Sequence, residues 1–308
     1  PAFLQMTGLR EASVLGQNEE AFSRQLADLC LPSARFCGVQ ALSDINRDTI
    51  ELSGPIERVL QVGVRQSQSS SVLQILYFRD ITLETVVVRM KSEFLSTAAH
   101  ELRTPMASIY GYSELLLHES FDEATRKELL GTVHRQSELM ASIINELLDL
   151  ARIEARRGKD FEFKPVEVAV LVEQSIRGFR PPSDRLAPVC ERLESTLWIQ
   201  ADAGKIQQVI TNLLANAYKY SPEGGEVRIR YSTRNNGTQS MVGITVSDQG
   251  MGMSPEQQTR VFERFYRADV SGKIPGTGLG MSIVKEIVDI HHGSVEIASA
   301  LRTGTQVT

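Results

Sequence analysis

Apolar residues at alternating spacings of four and three run through the middle of this chain and limit what it can become. Leu83, Val87, Met90, Phe94 and Thr97 form such a seam, which predicts a helix entering a coiled coil. The pattern continues through His100 and Ile109 to Leu117. Pro105 interrupts it: proline has no N–H, so the carbonyl of Glu101 loses its helical partner and a bend is expected. After a polar connector, His118-Glu-Ser-Phe-Asp122, the spacing returns at Val133, Gln136, Met140, Ile143, Leu147 and Leu150. Two long amphipathic helices with a short loop make an antiparallel hairpin. One hairpin buries little alone, so a four-helix bundle in a homodimer is the expected completion.

The flanks differ from this middle. Before residue 80, Glu57–Val64 places Leu60, Val62 and Val64 on one face, and Ser71–Arg79 carries Leu73, Ile75 and Tyr77 at the same period of two. The polar run Gln66–Ser71 lies between them, so an antiparallel hairpin is predicted. All five histidines lie at or beyond position 100, which leaves this region without one to ligate haem. A net charge of −5 argues against a nucleic-acid partner. Three cysteines, Cys30, Cys37 and Cys190, lack metal-ligand spacing and read as ordinary thiols. No run of about 18 apolar residues exists, so no membrane-crossing segment is expected, and there is no signal-peptide pattern. Because Pro1 opens the chain and Thr308 closes it inside an apparent strand, a fragment is expected. On that reading it is the cytoplasmic portion of a parent whose membrane anchor would lie elsewhere.

Beyond residue 158 the pattern alternates strand and helix. Phe161–Pro165 reads as a strand, Val166–Phe179 as a helix, Leu197–Ala201 as a strand, and Asp202 as the cap of a helix over Ala203–Tyr220. That helix has an apolar stripe, Ile206, Val209, Ile210, Leu213, Leu214 and Ala217, with Asn212, Asn216 and Lys219 together on another face. Asparagine suits helix interiors poorly, so two at i,i+4 suggest ligand contact; a carboxamide oxygen suits Mg²⁺. Strands at Glu226–Ser232 and Met241–Ser247 flank an Asn235-Asn236-Gly237 turn, and Asp248 follows with Gly250 and Gly252. A carboxylate there can accept from adenine's amine, with the glycines letting backbone approach the base. Gly276-Thr-Gly278-Leu279-Gly280 then opens an apolar helix to about His291, a phosphate-binding arrangement. A dinucleotide fold would put a strand before those glycines, but Ser271–Pro275 reads as a loop, and no Gly-x-x-x-x-Gly-Lys-Ser/Thr sequence occurs.

The chemistry at His100 rests on its neighbours. A neutral imidazole is a nucleophile, Glu101 can accept a hydrogen bond from one ring nitrogen, and Thr104 lies one turn on, close enough to position a water. The run His100-Glu101-Leu-Arg-Thr104-Pro105 resembles the phospho-acceptor box of sensor histidine kinases of two-component systems. The segments Asn212–Ser221, Asp248–Gly252, Phe262–Arg267 and Gly276–Gly280 are similar, in order, to that family's ATP-binding domain. The opening residues and Tyr77–Thr82 resemble the ends of a PAS sensor domain.

The resemblance implies an α+β multidomain chain. It comprises a PAS-like α/β sensor (1–82, N-terminally truncated), a linker helix with a dimerisation and histidine-phosphotransfer hairpin (83–157), and a GHKL-type α/β-sandwich ATP-binding domain (158–308). It implies ATP-dependent autophosphorylation of His100 with Glu101 as base, transfer to an aspartate of a cognate response regulator, and dephosphorylation of that partner through Thr104. Asn216 would hold Mg²⁺, Asn212 and Lys219 would support the phosphates, Tyr220 would pack near adenine and Asp248 would read its amine. Residues 262–276 would form a lid in which Arg264 or Arg267 meets phosphate. Gly250, Gly252, Gly276, Gly278, Leu279, Gly280 and Thr305 complete the expected nucleotide site. Two other readings remain at this point, an ATP-driven conformational machine and a non-catalytic sensory scaffold.

Overall fold

A computed structural model describes the chain except residues 1, 32–35, 37, 43–46, 55–56, 67–73, 157, 194, 236–239, 270–273 and 275. All of the expected turns at 66–71 and 235–237 but Gln66 and Asn235, together with Leu73 and most of 271–275, therefore lie outside the described residues. Two compact units are present, residues 1–96 and 97–308.

The first unit begins with α1 (Ala2–Thr7) and α2 (Glu19–Leu29), the latter capped by Asn18, which accepts from the Ala21 N–H. A three-stranded antiparallel sheet follows: β1 (Asp48–Leu52), β2 (Arg58–Gln66) and β3 (Gln74–Asp80), in that order. The core holds Ile50, Leu52, Leu60, Val62 and Val64, so the face read for β2 is correct. The face read for β3 is not. Val64 pairs with Leu76 and Val62 with Phe78, and cross-strand partners share a face, so Leu76 and Phe78 pack on the core while Ile75 is exposed. Ile-Leu-Tyr-Phe is apolar on both faces and cannot fix its own register. Tyr77 instead lies over Gly63, where an added Cβ would come within 2.2 Å of the phenolic oxygen.

The long helix α3 (Thr82–His118) starts in the first unit and continues into the second. The chain stays helical through Pro105, and the proline is buried. After the connector, Asp122 accepts from the Thr125 N–H at 2.7 Å and opens α4 (Glu123–Arg156). On α4 the predicted seam is the one withdrawn from solvent, and Ile143, Leu150 and Ile153 are fully covered. Many large apolar side chains of the hairpin stay exposed, among them Met106, Tyr110, Leu117, Ile144 and Leu148. No helix among the described residues is long and apolar enough to cross a membrane.

The rest of the second unit is an α/β sandwich. Its elements are β4 (Lys164–Glu167), α5 (Val168–Gly178), β5 (Val189–Cys190), β6 (Trp198–Ala201), α6 (Ala203–Lys219), β7 (Arg228–Asn235), β8 (Ser240–Asp248), α7 (Pro255–Arg260), α8 (Gly280–Ile290), β9 (Ile297–Ala300) and β10 (Gly304–Val307). The five-stranded sheet runs β5-β7-β8-β10-β9, and β4 pairs separately with β6. Helix α6 packs between α5 and α8 and against β8. Its stripe is withdrawn from solvent as read: Val209, Ile210, Leu213, Leu214 and Ala217 are buried and Ile206 is half-buried. Val172 of α5 and Ile283 and Ile287 of α8, the helices packed on either side, are buried too. The strand expected at Phe161–Pro165 begins at Lys164 instead. Phe161 and Phe163 pack their rings on His291, 5.5 and 4.9 Å away between centroids, and the Glu162 N–H between them donates to the Asp202 carboxylate at 2.9 Å rather than to a neighbouring strand.

Candidate active site

Helix α6 is placed by its cap. Asp202 accepts from the Lys205 N–H at 3.0 Å, and its own N–H donates to His291 Nε2 at 3.1 Å, tying the start of α6 to the end of α8. With α6 fixed, its polar face meets the loop that feeds α8. Between them lies a cavity of about 320 Å³. Asn212, Asn216, Lys219, Tyr220, Asp248, Gly252, Gly276, Gly278, Gly280 and Thr305 all line it. Segments nearly a hundred residues apart in sequence thus converge on one site.

At one part of the cavity, Asp248 ends β8 beside Thr305 of β10. Its Oδ1 accepts from the Gly250 N–H at 2.8 Å. Burial pushes the Asp248 carboxyl above the usual carboxylate range, while the backbone N–H groups of Gly250 and Thr305 pull the other way. The glycines here also serve protein packing. A Cβ on Gly250 would sit 2.1 Å from the Tyr220 carbonyl oxygen, and one on Gly252, whose φ is 64°, would sit 1.9 Å from that of Ala300. The loop can lie this close only without side chains, and the Met251 N–H then donates to Tyr220 O at 3.0 Å.

At another part, the glycine loop meets Lys219. A Cβ on Gly276 would lie 2.0 Å from Lys219 Nζ, and one on Gly278 would strike the backbone of Phe265. Leu279 is fully buried and anchors the loop in the core. It is also the N-cap of α8 and offers no side-chain cap, so the first N–H groups of that helix are served by no capping side chain. Asn212 donates to Gly280 O at 3.4 Å. Lys219 stands 4.8 Å from the centre of the Tyr220 ring; burial first, then the Arg267 charge, lowers its pKa to about 8. Burial likewise raises the Tyr220 hydroxyl. A half-buried cation, a helix start without a side-chain cap and a glycine-rich loop form a site for an anion such as phosphate.

Gly250, Leu279 and the two arginines expected in a lid, Arg264 and Arg267, stand outside the lining. Arg264 pairs with the carboxylate of Glu154 on α4, with Glu286 at 3.9 Å, and Arg267 donates to Ile274 O at 2.6 Å. Sequence reasoning did not find the apolar lining from Met251, Met253, Tyr266, Met281, Ile297 and Val307, nor that from α4. Leu139, Ser142 and Glu146 of α4 reach the cavity, and the Thr277 hydroxyl donates to Glu146.

His100 lies elsewhere. Its side chain is 73% exposed on α3, a helix that contributes nothing to the cavity lining. Glu101 Oε1 is 3.8 Å from His100 Nδ1, close enough to pair but beyond hydrogen-bond length, and Thr104 donates back to the His100 carbonyl at 3.4 Å.

Residues 201–308 match the family described as histidine kinase-, DNA gyrase B- and HSP90-like ATPase, and residues 90–156 match the His Kinase A (phospho-acceptor) domain. The class is therefore a phospho-acceptor helical hairpin joined to a GHKL-type ATP-binding domain. Among curated proteins, the chain is 32% identical over 237 residues to the sensor histidine kinase WalK of Bacillus subtilis, covering 74% of this chain and 38% of that protein. It is 31% identical over 269 residues to the phosphate regulon sensor protein PhoR of Pseudomonas aeruginosa, covering 85% and 59%. The chain spans less than two thirds of the length of either relative. The fold is shared with the Acinetobacter baumannii histidine kinase AdeS, at a TM-score of 0.51 and 21% identity over 68% of this chain and 95% of that one. The chain belongs to the sensor histidine kinases of two-component systems.

Proposed function

We propose that this chain is an ATP-dependent protein-histidine kinase that phosphorylates His100 and passes the phosphoryl group to an aspartate of a cognate response regulator. The observation that carries this is the pairing of an exposed His-Glu box on a helical hairpin with a separate cavity lined by Asn212, Asn216, Lys219, Asp248 and the glycine loop. Asp248 would hold the adenine amine, and Lys219, Asn212 and the N–H groups opening α8 would hold the phosphates. With Glu101 beside Nδ1, Nε2 is the nitrogen free to attack. A bond forms from that nitrogen to the γ-phosphorus, the bond to the bridging oxygen breaks, ADP leaves, and Glu101 takes the Nδ1 proton. Positioning and charge neutralisation supply most of the catalysis in such a step.

Mg²⁺ fits the donors at hand. No cluster of three His, Cys, Asp or Glu that could hold a metal exists among the described residues, so the ion would be shared between the Asn216 carboxamide and the phosphates rather than caged. When bound, it neutralises charge developing on the phosphoryl oxygens.

Because α3 contributes nothing to the cavity lining, transfer requires the ATP domain to move relative to the hairpin. Residues 1–82 are the PAS-like sensor that biases this movement, 83–157 the linker and phosphotransfer hairpin, and 158–308 the catalytic domain. The exposed apolar side chains of the hairpin favour a homodimer completing a four-helix bundle. Thr104, with Glu101, serves the reverse hydrolysis on the regulator. The site works on the cytoplasmic side, where ATP is, with membrane anchoring left to other segments of the parent protein. Incubation with γ-labelled ATP and Mg²⁺ tests the proposal: label on the parent chain and on neither His100→Gln nor Asn216→Ala is expected. Hydrolysis without protein label would support an ATP-driven machine instead, and neither label nor hydrolysis would support a scaffold.

A further inference from the structure

Glu146 and Asp248 are the acidic side chains in the cavity lining. Asp248 belongs to the base-reading part of the site. Glu146 comes from α4, in the hairpin, and lies among the groups assigned above to phosphate. Its carboxylate accepts from the hydroxyl of Thr277, which sits between Gly276 and Gly278 in the glycine loop, and from Ser142 Oγ at 2.9 Å. It is near enough to Lys219 for its charge to favour the protonated amine. Loop hydroxyl and half-buried cation are the partners an incoming phosphate would want.

Two further contacts hold α4 in this position. Gln208 of α6 donates to Asp149 at 3.0 Å, and Arg264 bridges Glu154 and Glu286. Asp149 thus ties α4 to α6, and Glu154 ties it through Arg264 to Glu286 of α8.

Resting on the nucleotide reading above, we propose that Glu146 is a specificity and gating residue that occupies the phosphate subsite as an internal anion. In the docked arrangement it accepts from Thr277, and its charge favours the protonated form of Lys219. A nucleoside polyphosphate brings like charge to the same groups and must displace the carboxylate, loosening α4 from the ATP domain. A nucleoside without phosphates meets no such conflict. The coupling is reciprocal: a hairpin that favours the docked position lowers affinity for the polyphosphate by the same factor that the polyphosphate lowers docking. Nucleotide binding would thereby free the catalytic domain to leave α4.

Binding of ATP, ADP and adenosine to the full chain, measured by calorimetry, tests this. Glu146→Gln keeps size and hydrogen bonding but removes the charge, and it is expected to tighten ATP about tenfold, as for one repulsion at a partly exposed pair, with adenosine unchanged. Gln208→Ala, which loosens α4 away from the cavity, is expected to tighten ATP to a smaller degree, again with adenosine unchanged. Weaker ATP binding by Glu146→Gln would make Glu146 a ligand of the metal–nucleotide complex and overturn the proposal. Unchanged ATP affinity, or equal shifts for ATP and adenosine, would also overturn it while leaving the nucleotide reading intact. Failure of wild type and variants alike to bind ATP would overturn both.

Discussion

Replacing Gly250 with alanine isolates the role of close backbone packing behind Asp248, the acid proposed to read adenine. Its φ lies outside the left-handed region, so alanine adds no backbone strain, only a methyl group. That methyl would fall 2.1 Å from the Tyr220 carbonyl oxygen and 2.9 Å from Asp248 Oδ1. Neither atom is the free end of a flexible chain: one is main chain at the end of α6, the other is the carboxyl held by the Gly250 N–H. Relief requires the loop to withdraw, which lengthens the Met251 N–H bond to Tyr220 O and releases Asp248. Overpacking costs about 1–3 kcal/mol and each of the two hydrogen bonds about 1 kcal/mol, so about 3–5 kcal/mol is at stake. If about 2 kcal/mol must be repaid to restore the binding conformation, ATP affinity drops roughly thirtyfold. Calorimetric titration of ATP, with a thermal melt in parallel, measures both. Gly178→Ala is the control, since a Cβ there meets nothing within 4 Å. An ATP affinity for Gly250→Ala within about twofold of wild type, where one decade is about 1.4 kcal/mol, would refute the reasoning.

Other outcomes follow from the same geometry. Lys219, lowered to about 8, loses its charge as pH rises through that value, so ATP affinity should be flat below about pH 8 and fall above it, while Lys219→Met should be weak and flat. For stability the sign is opposite: the unfolded chain holds this proton up to its ordinary value, so between about pH 8 and that value the lysine's contribution to folding rises with pH, readable from urea titrations of wild type against Lys219→Met. Leu150→Ala empties a fully covered position on α4 and should destabilise the second unit by about 2–5 kcal/mol in denaturant unfolding.

Much of the cavity lining was legible because the chemistry proposed for it favours particular residues. Asn212 and Asn216 are poor choices for a helix interior unless something binds them, and the glycines of 276–280 announce a close approach whatever the fold around them. The stripe of α6 was readable because a helix buried on one side must repeat at its own period. Other features left weak traces. Strand β1 is Asp-Thr-Ile-Glu-Leu, with two core residues, and β5 is two residues long, too short for any period to show. Helix α7 carried a signal that went unread: Ser254 and Gln257 form a capping box around Pro255. The face of β3 depends on its pairing with β2, and the role of Gly250 on where α6 ends. Glu146 sits on α4 with no local mark, because its partner Thr277 is 131 positions away and only tertiary packing brings them together.

The central claim is that the imidazole of His100 receives the γ-phosphoryl group. Incubation of the full chain with ATP and Mg²⁺, followed by fragmentation mass spectrometry under basic conditions, reads the acceptor directly. A phosphoryl group that is acid-labile, base-stable and localised to His100 is the result this account predicts. ATP turnover with His100 unmodified, or phosphate carried by His118, His134, His291 or His292 instead, would contradict it.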